Sequence, residues 1–260
     1  MKLKLMQTTL ALVLTSVMSF AQSADEIIAN FFENTGGAEA WEALEGTKTK
    51  GTFKQQGMEI PVTEIKLKDG RSYTIYNFQG KEIVGQAFDG EVLWGHNFMS
   101  MEAEKKDDES TENFKREARD FPYSLFKYKD KGYQVELLGT ETVEGAECFK
   151  LKLIKKPQLV DGQEVDNISY FYMDTENFVP IVVEQEIKSG EMKGKFIWVT
   201  FSDYQEVEGL YFPFAITQGI KDMGANAFTI QSIELNPAVD ETIFSFPETT
   251  GEEPKDGDGN

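Results

Sequence analysis

One histidine and one cysteine limit the side-chain chemistry open to this chain. His96 follows Trp94-Gly95 at the end of an apolar run, and any Ser-His-Asp or Cys-His nucleophilic site would have to use it. No G-x-S-x-G elbow precedes a helical stretch, and no second histidine is available for a zinc site. His96 therefore reads as a hydrogen-bonded residue at a strand end. Cys148 lies among Phe149, Leu151 and Leu153, a pattern that describes a buried strand thiol, whereas a reactive thiolate needs electropositive surroundings. With 45 Asp and Glu residues, carboxylate pairs arise by chance, and none stands out as a glycosidase dyad. Asp256-Gly257-Asp258-Gly259-Asn260 starts like a calcium loop but does not reach the bidentate Glu that closes one. P-loop and dinucleotide fingerprints are missing as well. The expectation is a protein that binds rather than catalyses, with no cofactor and no metal.

The apolar residues are the more informative set. Met58, Met99, Met101, Met173, Met192 and Met223 are spread along the chain beside twenty phenylalanines. Methionine repacks around irregular shapes, which suits a site for varied apolar ligands, and it also serves as ordinary core filling.

Periodicity gives the elements that must carry these residues. Ser23 and Glu26 fit a capping box ahead of Ile27, Ile28, Phe31 and Phe32, which recur at helical spacing. Gly36-Gly37 stops that helix, and a short second one follows from Ala38 to about Leu44. Asp69-Gly70, Gln79-Gly80 and Asp89-Gly90 then punctuate strand-like runs, each glycine supplying the positive φ of a tight hairpin. Residues 47–54, 59–68, 71–78, 81–88 and 91–96 thus read as an antiparallel meander. A charged stretch at 102–119 interrupts it. Phe121, Tyr123, Leu125, Phe126 and Tyr128 then cluster around Pro122 in an expected short helix, either a mobile flap or a permanently docked one. Strands resume at 133–144, 147–154, 168–173, 180–187, 194–201, 210–220 and 228–235.

Several of these strands are apolar on both faces, notably 170–173, 196–199 and 211–214. A half-buried antiparallel strand alternates instead. Three short helical segments cannot cover both faces of so many strands. A mainly β, half-open antiparallel barrel, a curled sheet of about 11 strands with a helical lid, satisfies the count. A packed sandwich with a dry core is the alternative.

Lys2 and Lys4, the apolar run 10–20 and Ser19-Phe20-Ala21 read as a signal peptide cleaved after Ala21, the run being short for a membrane anchor. Residues 22–247 are expected to form one domain, and 248–260 a disordered acidic tail. The formal net charge of -19 repels nucleic acid and anionic headgroups. A soluble periplasmic monomer is expected.

Four stretches resemble the outer-membrane lipoprotein-sorting (LolA-like) family of periplasmic carriers. Lys68-Asp69-Gly70-Arg71 places a basic residue after a short turn, and Phe88-Asp89-Gly90-Glu91-Val92-Leu93-Trp94 is similar to its DG-x-x-LW hairpin. Tyr204 to Pro213 resembles its y-x-x-v-x-G-x-x-x-P hairpin, and Ile233 to Pro247 its last strand and lF-x-fP closure. The charged segment 102–119 and the acidic tail depart from the carriers proper. The resemblance implies a half-open barrel whose concave wall takes acyl chains of lipoproteins or lipids. It implies that Arg71 joins wall to lid through lid carbonyls, although a solvent-facing hairpin arginine fits the Asp-Gly turn equally well. Candidate wall residues are Phe53, Met58, Arg71, Trp94, Tyr170, Tyr172, Phe196, Trp198 and Phe214, with strand parity left open. Candidate lid residues are Phe31, Phe32, Phe121, Tyr123 and Phe126. The expected partners are acylated lipoprotein or lipid cargo and transient envelope donor and acceptor proteins. A sensor or adaptor that binds a partner protein through the same fold is the alternative, and a hydrolase using His96 a weaker third.

Overall fold

A computed structural model describes residues 22–247, apart from 56 and 222. The expected signal peptide at 1–21 and the acidic tail lie outside the described residues. No helix among the described residues is long and apolar enough to cross a membrane.

The chain opens with helix α1 (Ala24–Asn34) and helix α2 (Ala38–Ala43). The expected capping box forms: Glu26 N–H donates to Ser23 Oγ at 3.2 Å, and Ser23 N–H to a Glu26 carboxylate oxygen at 2.8 Å. Strands β1 (Gly46–Gln55), β2 (Met58–Leu67), β3 (Ser72–Phe78), β4 (Lys81–Phe88), β5 (Leu93–His96) and β6 (Ala103–Lys105) follow as the meander. A third helix, α3 (Asp108–Glu117), and a single 3-10 turn at Ala118–Asp120 precede the second strand series. That series is β7 (Gln134–Val143), β8 (Ala146–Ile154), the ribbon β9 (Gln158–Val160) and β10 (Gln163–Val165), then β11 (Ile168–Asp174), β12 (Pro180–Glu186), β13 (Phe196–Val207), β14 (Leu210–Ile220) and β15 (Gly224–Leu235).

Thirteen strands form one antiparallel sheet in the order β6-β5-β4-β3-β2-β1-β15-β14-β13-β12-β11-β8-β7. The expected mainly β architecture with few helices is therefore present, as a curled sheet that is not closed. The first and last strands of the two meanders, β1 and β15, join them across the middle. Bulges interrupt the register at Lys50/Gly51, Thr74/Ile75, Leu137/Thr140 and Tyr172/Met173, and bulges bend and twist a sheet locally.

The charged stretch at 102–119 separates the two strand series, and it does so as β6 followed by α3. Asp107 caps α3 by accepting the Ser110 N–H, and its helix dipole is met by Asp108 and Glu109 at one end and Lys115 and Arg116 at the other. Polar contacts moor it to the β9–β10 ribbon: Asn113 exchanges two hydrogen bonds with the Leu159 backbone at 2.8 and 2.7 Å, and Glu109 accepts from Asp161 and Gly162. The short helix expected at 120–128 does not form. Pro122 has no N–H to donate and pushes the residue before it out of the helical region, so Phe121 is extended and the chain runs on in turns.

The largest core lies on one face of the sheet, here the inner face. Ile27, Ile28, Phe31 and Phe32 of α1 and Trp41 of α2 meet Leu125 and Phe126, Leu151 and Leu153 of β8, Met173 of β11, and Phe212 and Phe214 of β14. Aromatic rings interlock there edge to face: Trp41 sits 5.2 Å from Tyr123 and 5.1 Å from Phe212, and Phe32 lies 5.0 Å from Phe126.

Candidate functional site

Helices and the 121–133 segment fill the inner face over β7, β8, β11, β14, β15 and the end of β13. Over β1 to β4 the same face is left with two hollows. Register fixes which side chains share it: Phe53 is opposite Ile60, Val62 opposite Tyr76, and Tyr76 opposite Ile83. Phe53 is also opposite Phe228, which packs on the main core, so this row is continuous with the helix-bearing face.

The first hollow is an apolar cavity of about 620 Å3 lined by Phe53, Met58, Ile60, Tyr76, Phe78 and Ile83, with Phe98 and Met101 of the β5–β6 loop at its rim. Phe98 is 64% exposed and neighbouring Met99 89%, so large apolar side chains stand in water around the opening. Alternation along Met58-Glu59-Ile60-Pro61-Val62 sends every second residue inward. Gly85, the extra residue of the β3–β4 bulge, lets the Tyr76 ring lie against its backbone; a Cβ at 85 would strike that ring. Burial raises the Tyr76 phenol above its ordinary pKa, with the Glu64 charge adding to it.

The second hollow, about 490 Å3, lies beneath residues 114–124. Glu64, Lys66, Ser72, Thr74 and Gln86 wall it from β2 to β4, and Lys155 and Gln185 wall it from the other half of the sheet. Strands far apart in the sheet order thus face one space, which is the curl seen locally.

The sequence-derived candidates separate by face. Phe53 and Met58 line the apolar cavity, and Phe214 lies on the inner face within the main core. Tyr170, Tyr172 and Trp198 pack on the outer face around Cys148 and Val182. Phe196 shares the outer face by its alternation with Trp198. Trp94 is also outside, against Val84, Ala87 and Phe246, and donates its indole N–H to the Phe244 carbonyl at 2.8 Å. Trp94, Tyr170, Tyr172 and Trp198 belong to small outer clusters, because a period of two sends adjacent residues to opposite faces. Arg71 lines the second hollow but does not bond lid carbonyls: it donates to the carboxylates of Asp69 and Glu241, and its guanidinium lies over the Phe244 ring. Phe31, Phe32, Phe121, Tyr123 and Phe126 do come together, the first two and Phe126 buried in the main core and Phe121 and Tyr123 packed against it, where desolvation raises the Tyr123 phenol pKa.

Ile60, Tyr76, Phe78 and Ile83, and Phe98 in the β5–β6 loop, escaped the sequence reading, whereas Met58 and Met101 were among the methionines it singled out. The strands concerned alternate in the ordinary way, and attention fell on runs that are apolar on both faces. His96 accepts a hydrogen bond from the Val84 N–H at 2.8 Å through Nδ1, as a strand-end residue should. Cys148 is buried, and desolvation raises its thiol pKa. Among the described residues no group of His, Cys, Asp and Glu is placed to hold a metal.

A family model described as "Uncharacterized protein" matches residues 115–248. No curated protein matches the chain. Among solved structures, the chain is similar to a LolA superfamily protein from Nitrosomonas europaea, with a TM-score of 0.54 at 11% identity over 86% of this chain and 98% of that one. A DUF1329 family protein from Desulfovibrio piger gives 0.53 at 11% identity over 86% and 98%. A putative outer membrane lipoprotein-sorting protein domain from Vibrio parahaemolyticus gives 0.51 at 11% identity over 84% and 94%. With the curled sheet and helix-bearing inner face already described, the chain has the LolA-like fold, and it belongs to the family of uncharacterized proteins whose model spans residues 115–248.

Proposed function

We propose that this protein is an envelope carrier that takes acyl chains of lipids or lipoproteins into the apolar hollow over β1–β4 and hands them on toward the outer membrane without covalent chemistry. The observation that carries this reading is the 620 Å3 cavity with exposed Phe98 and Met101 at its rim. Its volume lies within the usual range of ligand sites, and apolar rims of this kind mark binding surfaces. Each buried methylene contributes ~0.8 kcal/mol, so one long chain supplies of order 10 kcal/mol gross, much of which chain ordering offsets. The working unit in this proposal is residues 22–247, exported to the periplasm after removal of 1–21, and its partners are acylated cargo with transient donor and acceptor proteins. The fold shared with a lipoprotein-sorting domain supports the reading.

The test is native mass spectrometry of the exported protein, with organic extraction of what co-purifies and titration with a fluorescent fatty acid. Acyl-bearing species that disappear on changing Tyr76 or Ile83 to Asp in a folded variant support the carrier. A clean apo mass together with no uptake of the probe rejects it.

A further inference from the structure

The two hollows differ in chemistry yet share three strands. Thr74 lines the polar one and Tyr76 the apolar one, two residues apart on one strand face, a spacing of ~7 Å. Glu64 and Ile60 repeat that arrangement on β2, ~13 Å apart. A ligand seated in the apolar hollow therefore has its inner end next to the polar one.

The polar hollow has a definite character. Each of its cations already has a carboxylate: Lys66 with Glu64 at 3.0 Å, Arg71 with Asp69 at 2.8 Å and with Glu241, and Lys155 with Asp120 at 3.1 Å. The last pair is largely removed from solvent and held further by the Tyr133 hydroxyl, which donates to Asp120 at 2.9 Å. No cation is left over for a free carboxylate or phosphate head. What remains is neutral. Ser72 is 93% buried on this wall, and its hydroxyl is the one buried side-chain oxygen or nitrogen without a hydrogen-bond partner among the described residues. Such a group costs stability unless something completes it. Thr74 and Gln86 stand beside it on the same face.

Resting on the carrier reading, the geometry points to a ligand class: a long-chain amphiphile with an uncharged, hydroxyl-bearing head, such as a monoacylglycerol. Its head lies beneath residues 118–124 against Ser72, Thr74 and Gln86, and its chain runs past Tyr76 toward Phe98 and Met101. Four carboxylates, Glu64, Asp69, Asp120 and Glu241, surround three cations, Lys66, Arg71 and Lys155, so a bare anion meets net negative charge there.

Displacement of the dye N-phenyl-1-naphthylamine, which has no polar head, by monoolein and by oleate separates head from chain. Wild-type protein should bind monoolein about ten-fold more tightly than oleate, the equivalent of one net hydrogen bond. Ser72→Val and Gln86→Leu should erase that preference while dye binding and the melting temperature of Ser72→Val stay at or above wild type. Equal affinity for the two amphiphiles, tighter binding of oleate, or a preference that survives both substitutions overturns the head assignment and leaves the carrier reading intact. Failure of the dye and both amphiphiles to bind removes the carrier reading and this inference with it.

Discussion

The two halves of the sheet are both antiparallel meanders and end up with opposite interiors. Over β7, β8, β11, β14 and β15 the inner face meets α1, α2 and the 121–133 segment, and Phe31, Trp41, Leu151, Leu153 and Met173 are essentially sealed from solvent. Over β1 to β4 only the end of α3 and the start of the 121–133 segment reach, with Phe114 on Phe88, and Phe53, Met58, Phe78 and Met101 remain partly in water. The contrast teaches that in this sheet open space lies where the helical cover is thinnest. Only so much helix is available, and it goes where α1 can lie on β8, β11 and β14.

Substitutions that strike each half separately should break this contrast most clearly. Trp41→Ala removes a fully buried indole and its hydrogen bond to Thr35 Oγ1 at 3.1 Å; chemical denaturation should record a loss of about 3–5 kcal/mol. Changing Phe98 and Met101 together to Ser should do the reverse, lowering affinity for a fluorescent fatty acid about ten-fold or more while stability moves by about 0.5 kcal/mol or less. A large stability loss in that double variant would mean that the rim is core after all.

The lid segment offers a pH handle. Lys131 donates to the Tyr123 carbonyl at 2.9 Å in partly buried surroundings, and desolvation lowers its pKa to about 8 from the ordinary 10.5. Between those values the unfolded chain holds more protons than the folded one, so this group makes stability rise from pH 8 toward pH 10.5. Melting curves at pH 7.5 and 9.5 should show that rise in wild type and a smaller one in Lys131→Met. Identical pH slopes in the two proteins would mean that Lys131 is solvated in the folded state.

The smallest effect is expected on the outer face. Trp198→Ser disturbs the cluster around Tyr172 and Val182 and should cost about 1 kcal/mol, with fatty-acid affinity unchanged. A binding loss there would put ligand on the outer face.

These expectations also show where sequence carried information. Alternation, Asp-Gly and Gln-Gly turns and the Ser23–Glu26 capping box specify local geometry, so α1, α2 and most strands stand where the pattern places them. Three strands of three residues each, β6, β9 and β10, are too short to leave a period, and α3 is held by contacts with a ribbon far along the chain. Facing is a different matter. Tyr170-Phe171-Tyr172-Met173 is apolar throughout, so nothing local tells which pair turns inward; the register with Leu151 and Val183 decides it. Arg71 shows the same limit, because its carboxylate partner Glu241 is 170 residues away.

The most direct test of the account is photolabelling with a diazirine-bearing fatty acid, followed by peptide mapping. Label should fall on the inner face of the first half, at Met58, Tyr76, Phe78 and Met101, and be lost in the rim double variant. Label concentrated on Phe31, Phe126 and Phe212, or on Tyr172 and Trp198, would contradict the assignment of open space to β1–β4.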